Sequence, residues 1–456
     1  MYVTRPLSWY QADASAAAEV PPEGPGSGFL VVVDETGETA RTHFWGLCVD
    51  REMRGLPFPQ NRQLALRPSS GSDPIESVAT AVDVVGAIAD FATSSMPGRA
   101  PGLSKGPKMP DYTMLVPVVG QPLSSGRYYV VRADGKHRGK VSACSKEEDK
   151  TDLRWLGSYV NDVKPRAFDR SDLYQQVEVQ QLPSNAFKAV AVAADGIPPH
   201  FLSSKSVLYP YPKSVCTLLY TLVCRTKSSI SNSFIQLSLR KKGWKVNTMV
   251  SPKYQLTDDA QGVDSTLCCR MPDLGSLSIA ERSSPAVVVG RWYVSFIFVK
   301  ADGGRSLKDQ FRRCTFYEMT MEQSWEQIYS HDNPGSKPAE VVVTATVRRS
   351  TALLDGASVV PQEVGGVVWF GSAVCLDMVV WERMKWELER GGWVAPGPGN
   401  GNEERVERVD RRDRLGQWHR FACYVLVERF VLKRMDGSLA LTCVFRHTDK
   451  IKTKWL

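Results

Sequence analysis

The chain has 456 residues, of which 43% are apolar and 23% are charged, and its formal net charge is +8. This length exceeds what one ordinary hydrophobic core accommodates, so we expect two or three folded units. A net charge of this size permits contact with phosphates or acidic surfaces, but it does not by itself indicate a nucleic-acid-binding protein.

Five Asp-Gly dipeptides follow apolar segments along the chain, at residues 134–135, 195–196, 302–303, 355–356 and 436–437. Asp-Gly favours the type I′ turn of a β-hairpin, which needs two positive φ angles. The sequence therefore predicts a mainly β (α+β) fold of antiparallel, hairpin-rich sheets with a few short helices. We expect an N-terminal β unit at 1–165 with a helix-bearing insertion at 70–110, a middle β unit at 166–334 and a C-terminal β unit at 335–456.

The predicted first unit begins with a hairpin formed by Phe29–Val33 and Thr42–Val49. A helix follows at Ile75–Ala92, because Asp73 and Pro74 are typical of a helix start and apolar residues recur at helical spacing. Two strands, Tyr112–Val119 and Arg127–Arg132, complete the unit.

In the predicted middle unit the apolar runs Val215–Arg225 and Ser233–Arg240 indicate a hairpin, and Trp292–Lys300 indicates a strand. Met321–Tyr329 is predicted to be a short helix, since Thr320 and Gln323 form a capping-box pattern.

The last unit opens with a predicted strand at Val341–Arg348. The segment Val379–Glu389 fits both a helical face and a half-buried strand, and its tryptophans favour a strand. A mixed-charge run at Glu403–Arg414 indicates a solvated strand or loop. Tyr424–Arg434 and Leu439–Phe445 predict a closing hairpin around Asp436-Gly437.

Three segments share one pattern of an aromatic residue, apolar residues, a basic residue and Asp-Gly. They are Tyr128–Gly135, Phe296–Gly303 and Phe430–Gly437. A duplicated β unit would explain the pattern, and so would convergence of hairpins with similar chemistry. The sequence leaves both explanations open.

Motifs that carry chemistry are missing from the sequence. There is no phosphate-binding loop, no serine-hydrolase elbow, and no Cys-x-x-Cys or His-Glu-x-x-His pattern. The six histidines are scattered singly, which is not typical of a metal site. We therefore predict no catalytic residue, no metal and no cofactor, although an enzyme whose site is assembled from distant loops stays open.

The strongest candidate for a binding site is a basic turn preceded by two tyrosines. Its residues are Tyr128, Tyr129, Lys136, His137, Arg138 and Lys140. Cations on a glycine-flanked turn are suited to contact a phosphate or lipid head group. Alternatively, the lysines protect a sheet edge from aggregation. A second basic stretch at residues 240–245 has the same two interpretations.

The ten cysteines indicate a reducing compartment rather than a disulfide framework. Several lie inside apolar runs, where cysteine behaves as a small hydrophobe. Cys314 follows Arg312 and Arg313, which would activate a thiol, but a core cysteine explains the same residues. No secretory signal or membrane-spanning run is recognisable, so we expect an intracellular, most plausibly cytoplasmic protein.

Motifs spread along the chain resemble a plant family catalogued as domain of unknown function twelve sixty-two. The motifs lie at residues 1–8, 21–25, 57–61, 121–129, 145–149, 161–166, 209–212 and 424–437. Members are often labelled insecticidal crystal toxin domain proteins, and some are associated with stress and defence. The resemblance implies a plant source and that context, and it supplies no catalytic residues.

These observations give three functional hypotheses. The first is a non-enzymatic binding or interaction module linked to stress or defence. The second is a toxin-like β protein that binds a membrane or lipid, and the third is the enzyme with a distributed site. The expected partners are a protein or an anionic lipid, and nucleic acid is not expected.

Overall fold

The computed structural model describes residues 1–34, 41–43, 48–69, 110–153, 157–202, 243–251, 253–266, 274, 277–335, 340–395, 401–412 and 418–456. The protein is mainly β, with several antiparallel sheets and a few helices, as the sequence predicts. The predicted helix at Ile75–Ala92 and the predicted hairpin at Val215–Arg240 lie outside these residues.

The strands of the first half are β1 Tyr2–Pro6, β2 Gly28–Val32, β3 Arg41–His43, β4 Cys48–Asp50, β5 Glu52–Met53, β6 Gln63–Pro68, β7 Asp111–Pro117, β8 Arg127–Arg132, β9 Lys150–Leu153, β10 Gly157–Val160, β11 Gln176–Gln181 and β12 Phe187–Ala191. Those of the second half are β13 Trp244–Met249, β14 Gly262–Val263, β15 Val287–Ser295, β16 Val299–Asp302, β17 Phe316–Asp332, β18 Glu340–Arg348, β19 Ser350–Leu354, β20 Ala357–Val359, β21 Pro361–Val364, β22 Val367–Phe370, β23 Val374–Asp377, β24 Glu403–Arg411, β25 Arg420–Arg434 and β26 Leu439–Trp455.

The helices in the described residues are α1 Leu7–Ala12, α2 Leu307–Arg313 and α3 Met378–Arg390. Short 3₁₀-helical turns occur at Ala14–Ala18, Leu123–Ser125, Glu147–Asp149, Leu173–Gln175 and Phe296–Phe298. Within this part of the chain, none of the helices has the length and hydropathy needed to span a bilayer.

A large sheet organises the molecule, with the strand order β2-β1-β15-β17-β25-β26-β19-β20 and β14 beside β15 in the described residues. Its strands come from both ends of the chain and from the middle. The first pair, β1 and β2, is parallel, and the other pairs are antiparallel. The division into units at 165 and 334 stays a prediction.

A second sheet closes on itself, because β12 pairs both with β11 and with β13. The described order is β12-β11-β8-β7-β6-β13, with β5 beside β13. Large aromatic side chains fill its interior: Phe58, Tyr128, Phe187 and Trp244 form one buried cluster. The centroids of the Phe58 and Phe187 rings lie 4.9 Å apart in an edge-to-face arrangement, which is a favoured aromatic geometry.

Four smaller sheets complete the described part. One has the order β16-β23-β22-β21 and lies beside α3, while β9 pairs with β10 and β3 with β4. The strands β18 and β24 form an antiparallel ribbon from Glu340, opposite Arg411, to Arg348, opposite Glu403. The ribbon confirms the strand predicted at Val341–Arg348. It also shows that residues 403–411, for which the sequence allowed a strand or a loop, form a strand.

The strand predicted at Val379–Glu389 is wrong, because this segment forms α3. The Asp377 side chain caps the helix by accepting a hydrogen bond from the Val379 N–H at 3.1 Å. Arg383 and Glu387 are buried together, with the Arg383 Nη2 donating to Glu387 Oε1 at 2.6 Å. Both residues lie on the same buried face as Val380, Met384 and Leu388, so two charged residues interrupt the apolar pattern of that face in the sequence.

The helix predicted at Met321–Tyr329 is also wrong, since these residues lie inside β17. Their backbone pairs with β25, with a bulge between Gln327 and Tyr329, and Met321, Gln323 and Trp325 bury alternate side chains. Pairing with a long neighbouring strand therefore outweighs the local capping pattern.

The first predicted hairpin is wrong as well. Instead β2 pairs with β1, and β3 pairs with β4. The strand predicted at Trp292–Lys300 is interrupted, because Phe296–Phe298 form a 3₁₀-helical turn between β15 and β16. The strands β7 and β8 and the closing hairpin of β25 and β26 are confirmed.

The Asp-Gly dipeptides do not share one geometry. Asp355 and Gly356 both have positive φ, of 47° and 79°, and they connect β19 to β20 as a type I′ turn would. Asp436-Gly437 connects β25 to β26 with positive φ only at the glycine. Asp302-Gly303 leads from β16 towards α2 and makes no hairpin.

Asp302 instead sits in a buried polar network, and its residue is 1% exposed. Its carboxylate accepts two hydrogen bonds from Arg434, at 2.6 and 2.9 Å. The hydroxyl of Tyr317 donates at 2.9 Å, and Arg305 donates at 2.9 Å. Burial on its own raises the pKa of Asp302, but the hydrogen bonds from Arg434 and Tyr317 hold it below its usual value.

We expect Asp302→Ala to destabilise the protein by about 3–5 kcal/mol, because it leaves the Arg434 guanidinium without its partner. Since the pKa of Asp302 is lowered in the folded state, its contribution is complete above about pH 4 and is lost as the pH falls through the folded-state pKa. Urea unfolding of the wild-type and variant proteins at pH 7 and at decreasing pH measures both effects.

Asp436→Ala is the matched control, because Asp436 is an exposed Asp-Gly aspartate that bonds only locally to Ser438. Its effect on the free energy of unfolding should stay within about 1 kcal/mol. An equal loss in the two variants would contradict the role given to the Asp302 network.

Candidate functional site

The basic turn follows β8 and is fixed by its own backbone. The Gly139 N–H donates to the Arg132 carbonyl at 2.8 Å, and Gly135 and Gly139 have positive φ of 65° and 82°. The Arg138 side chain donates from Nε to the Ala133 carbonyl at 3.0 Å. Hydrogen bonds within the turn therefore hold its conformation.

The turn also packs against α2. A Cβ atom on Gly139 would lie 3.0 Å from the Leu307 carbonyl oxygen and 3.2 Å from Phe311 Cβ, so only glycine allows this approach. Ser306 caps the helix by accepting from the Asp309 N–H, which fixes α2 beneath the turn. The same helix exposes three further cations, Lys308, Arg312 and Arg313.

The charge around the turn is strongly positive. We define the basic surface by Lys136, His137, Arg138, Lys140 and Lys164. Partial burial, and then the neighbouring cations Lys140, Lys136, Arg132 and Lys164 in that order, lower the pKa of His137. Burial is the largest cause of this shift, and the contribution of the four cations indicates a local surplus of positive charge.

The two tyrosines do not join the basic surface. Tyr128 and Tyr129 are each 1% exposed. Tyr128 points into the closed sheet, and Tyr129 packs edge-to-face on Phe168 with centroids 4.8 Å apart. Burial raises the pKa of Tyr129 to about 12. The predicted stacking face is thus part of the core, while the three cations of the prediction, Lys136, Arg138 and Lys140, lie on one turn with His137 and are exposed or half-buried.

The second basic stretch contributes less. Residues 240–242 lie outside the described residues, and Lys245 belongs to β13. Its ammonium lies 2.8 Å from Glu52 Oε1, so this charge is already paired.

A cleft of about 800 Å³ lies where three distant segments meet. One wall is the segment 166–175, another is Lys300 on β16, and the third combines the Gly365-Gly366 turn with Asp377 at the start of α3. We call it the Lys300 cleft. Sequence reasoning missed it, since its walls come from three segments that are far apart along the chain and none carries a recognisable motif.

Lys300 and Asp377 are the central groups of the cleft. The Lys300 Nζ atom donates to the Phe168 carbonyl at 2.5 Å and lies 4.2 Å from the centroid of the Phe168 ring. It is 3.7 Å from Asp377 Oδ2, and Arg170 Nε is 3.7 Å from Asp377 Oδ1. These separations are ion pairs without a direct hydrogen bond.

Burial lowers the pKa of Lys300, and the carboxylates of Asp377 and Asp169 partly oppose this effect. A lysine with a lowered pKa in a cleft beside a buried carboxylate is the arrangement from which proton transfer or nucleophilic chemistry is built. Arg166 and Arg170 add cations at the rim of the same cleft.

The thiol hypothesis for Cys314 is wrong. Cys314 is 2% exposed, and burial raises the pKa of its thiol to about 12 despite the neighbouring arginines. Among the residues described, Cys144, Cys375, Cys423 and Cys443 are likewise buried and free. In the same part of the chain, no three His, Cys, Asp or Glu side chains are grouped as metal ligands.

A family model described as "Protein of unknown function (DUF1262)" matches residues 23–154. No curated protein matches the sequence. Among solved structures, the chain is similar to the crystal structure of Cry35Ab1, with a TM-score of 0.41 and 10% sequence identity over 87% of this chain and 90% of that chain. Similarity of this degree supports no argument about function.

We expect Asp377→Asn to lower the pKa of Lys300 further, because it removes the carboxylate that favours the charged ammonium. Asparagine also caps helices well, so α3 should stay folded. A side-chain NMR titration of nitrogen-labelled lysines measures the pKa. Glu382→Gln, on the exposed side of α3, is the control, and an unchanged Lys300 pKa in Asp377→Asn would contradict this geometry.

Proposed function

We propose that this protein is a non-enzymatic binding module that recognises a phosphate-bearing ligand through the basic surface. The observation that carries the proposal is the concentration of cations around His137. Burial is the largest cause of the lowered pKa of His137, and Lys140, Lys136, Arg132 and Lys164 add to it. The proposal includes a stress or defence context for this binding, and the family resemblance of the sequence motifs is what supports that part.

The cations of the basic surface are accessible to a ligand. Lys136 is exposed, and neither it nor Lys140 makes an ion pair with any described residue. The acidic residue of the turn, Asp134, lies 3.8 Å from Arg132, which also holds Asp111 at 2.9 Å. The nearest carboxylates are therefore directed to Arg132 and leave the lysines unneutralised.

A phosphate group suits this arrangement better than a single carboxylate. Lysine ammonium groups act as point charges with several donors each, and a phosphate offers three acceptor oxygens. The hydrogen-bonded turn holds the cations together before the ligand arrives, which reduces the entropy lost on binding.

We expect the double variant Lys136→Gln/Lys140→Gln to bind inositol hexakisphosphate about ten- to thirtyfold more weakly than the wild type. Each surface cation is expected to contribute roughly 1 kcal/mol to the binding free energy. Isothermal titration calorimetry at 50 and 150 mM salt measures the affinity. The wild-type affinity should fall as salt rises, since exposed charges are screened.

Lys253→Gln/Lys433→Gln is the matched control, because it removes the same charge from lysines outside the basic surface. Equal affinities for the two double variants would contradict the proposal. Vesicles of phosphatidylserine and of phosphatidylcholine then distinguish a lipid head group from a soluble phosphate. Binding to the anionic vesicles alone would favour the toxin-like, lipid-binding alternative.

An enzyme is the second candidate, and the Lys300 cleft is the specific observation that favours it. The cleft combines a lysine of lowered pKa with the carboxylates of Asp169, Asp172 and Asp377. A screen of hydrolase and transferase substrates with the wild type and Lys300→Met tests it. Turnover that is lost in Lys300→Met and retained in Lys308→Met would support the enzyme, and no turnover in the wild type would remove it.

A further inference from the structure

A cavity of about 530 Å³ lies between the edge of the large sheet and α3. We call it the aromatic cavity and define it by Ala352, Val359, Trp381, Trp393, Cys443 and Phe445. Small-molecule sites typically have volumes of roughly 300–1,000 Å³ and mostly apolar walls with a few polar groups. None of these residues belongs to the basic surface or to the Lys300 cleft.

The walls are held by regular structure. Ala352 on β19 lies opposite Cys443 on β26, and both side chains are nearly inaccessible to solvent. Phe445 packs edge-to-face on Trp393, with centroids 5.3 Å apart, and lies 6.3 Å from the Trp381 ring. The cavity is therefore preformed, which lowers the cost of binding a ligand.

One buried polar atom in these walls lacks a partner. Trp393 is 6% exposed, and its Nε1 has no hydrogen-bond partner among the described residues. A buried indole N–H normally finds an acceptor, since leaving it unpaired is unfavourable. A bound molecule with an acceptor oxygen would satisfy it.

A carboxylate, that of Glu363, already lies at the rim of the aromatic cavity. Glu363 Oε1 accepts a hydrogen bond from Trp381 Nε1 at 2.9 Å and lies 3.6 Å from Lys385 Nζ. Trp381 and Lys385 both line the cavity, so a carboxylate already sits against its rim. Arg348 and Glu403 also line the cavity and are paired with each other at 3.3 Å, while Val360 adds an exposed apolar side chain.

We propose that the aromatic cavity binds an amphipathic organic acid. The carboxylate of the ligand accepts a hydrogen bond from Trp393 Nε1 and faces the Lys385 cation at the rim, and the apolar body lies against Val359, Trp381 and Phe445. Glu363 competes with that carboxylate for the same cation. The inference is independent of the proposed function, because it concerns another site and another ligand class.

The test uses dodecanoate as the probe, with dodecanol as the neutral molecule of matched chain length. Tryptophan fluorescence and isothermal titration calorimetry on the full chain measure binding. We expect saturable binding of dodecanoate and weaker binding of dodecanol. Lys385→Gln should bind dodecanoate about tenfold more weakly, since a charge-assisted contact is lost.

Glu363→Gln should bind dodecanoate more tightly than the wild type, because it keeps an acceptor for Trp381 and removes the competing charge. Lys308→Gln on α2 removes an equal charge far from the cavity and should leave the affinity unchanged. Val359→Phe reduces the cavity volume and should abolish binding, and its thermal unfolding midpoint confirms that it is folded.

No saturable binding of dodecanoate by the wild type would overturn the proposal. If folded Val359→Phe binds dodecanoate as tightly as the wild type, the ligand does not bind in the aromatic cavity. Equal affinities for dodecanoate and dodecanol would show that the carboxylate is not recognised. Weaker binding of dodecanoate by Glu363→Gln would show that Glu363 does not compete with the ligand carboxylate for Lys385.

Discussion

The antiparallel ladder between β17 and β25 is the constraint on which the rest of the structure depends. It runs from Tyr317, opposite Arg434, to Asp332, opposite Arg420. On its outer sides β25 pairs with β26, and β17 pairs with β15. A shift of one residue in this register would turn every buried side chain to the other face, so the ladder fixes both faces of the large sheet at once.

The Asp302 network ties the end of this ladder to the rest of the molecule. Arg434 ends β25 and Tyr317 begins β17, and both bind the carboxylate of Asp302 at the end of β16. Because Lys300 lies two residues before Asp302, the same contact positions the Lys300 cleft. The following helix, α2, supports the basic turn through Gly139. Both surfaces therefore depend on one short segment of chain anchored to the central strands.

The three sites differ in the chemistry they offer. The basic surface presents accessible cations on a closed turn, and the Lys300 cleft balances cations against carboxylates. The aromatic cavity has apolar walls with charge only at its rim. The core buries the two tyrosines of the predicted site and the cysteines at positions 144, 314, 375, 423 and 443. Desolvation there raises the pKa of groups such as Cys314 and Tyr129. Among the described residues, the groups that a ligand can reach therefore offer mainly ionic contacts, hydrogen bonds and aromatic packing.

Local sequence patterns determined the mainly β fold, the closing hairpin of β25 and β26, and the clustering of Lys136, His137, Arg138 and Lys140. Each depends on turn chemistry or alternation within a few residues, which a single sequence displays. Tertiary structure decided that Met321–Tyr329 is a strand and that Val379–Glu389 is a helix. In the first case the pairing with β25 outweighs a local cap. In the second the tryptophans favoured a strand, and only the packed structure shows that the charged Arg383 and Glu387 belong to the buried face of a helix. The Lys300 cleft and the aromatic cavity are also visible only in the tertiary structure. Their walls come from segments that are far apart in the chain and meet only when the sheets pack.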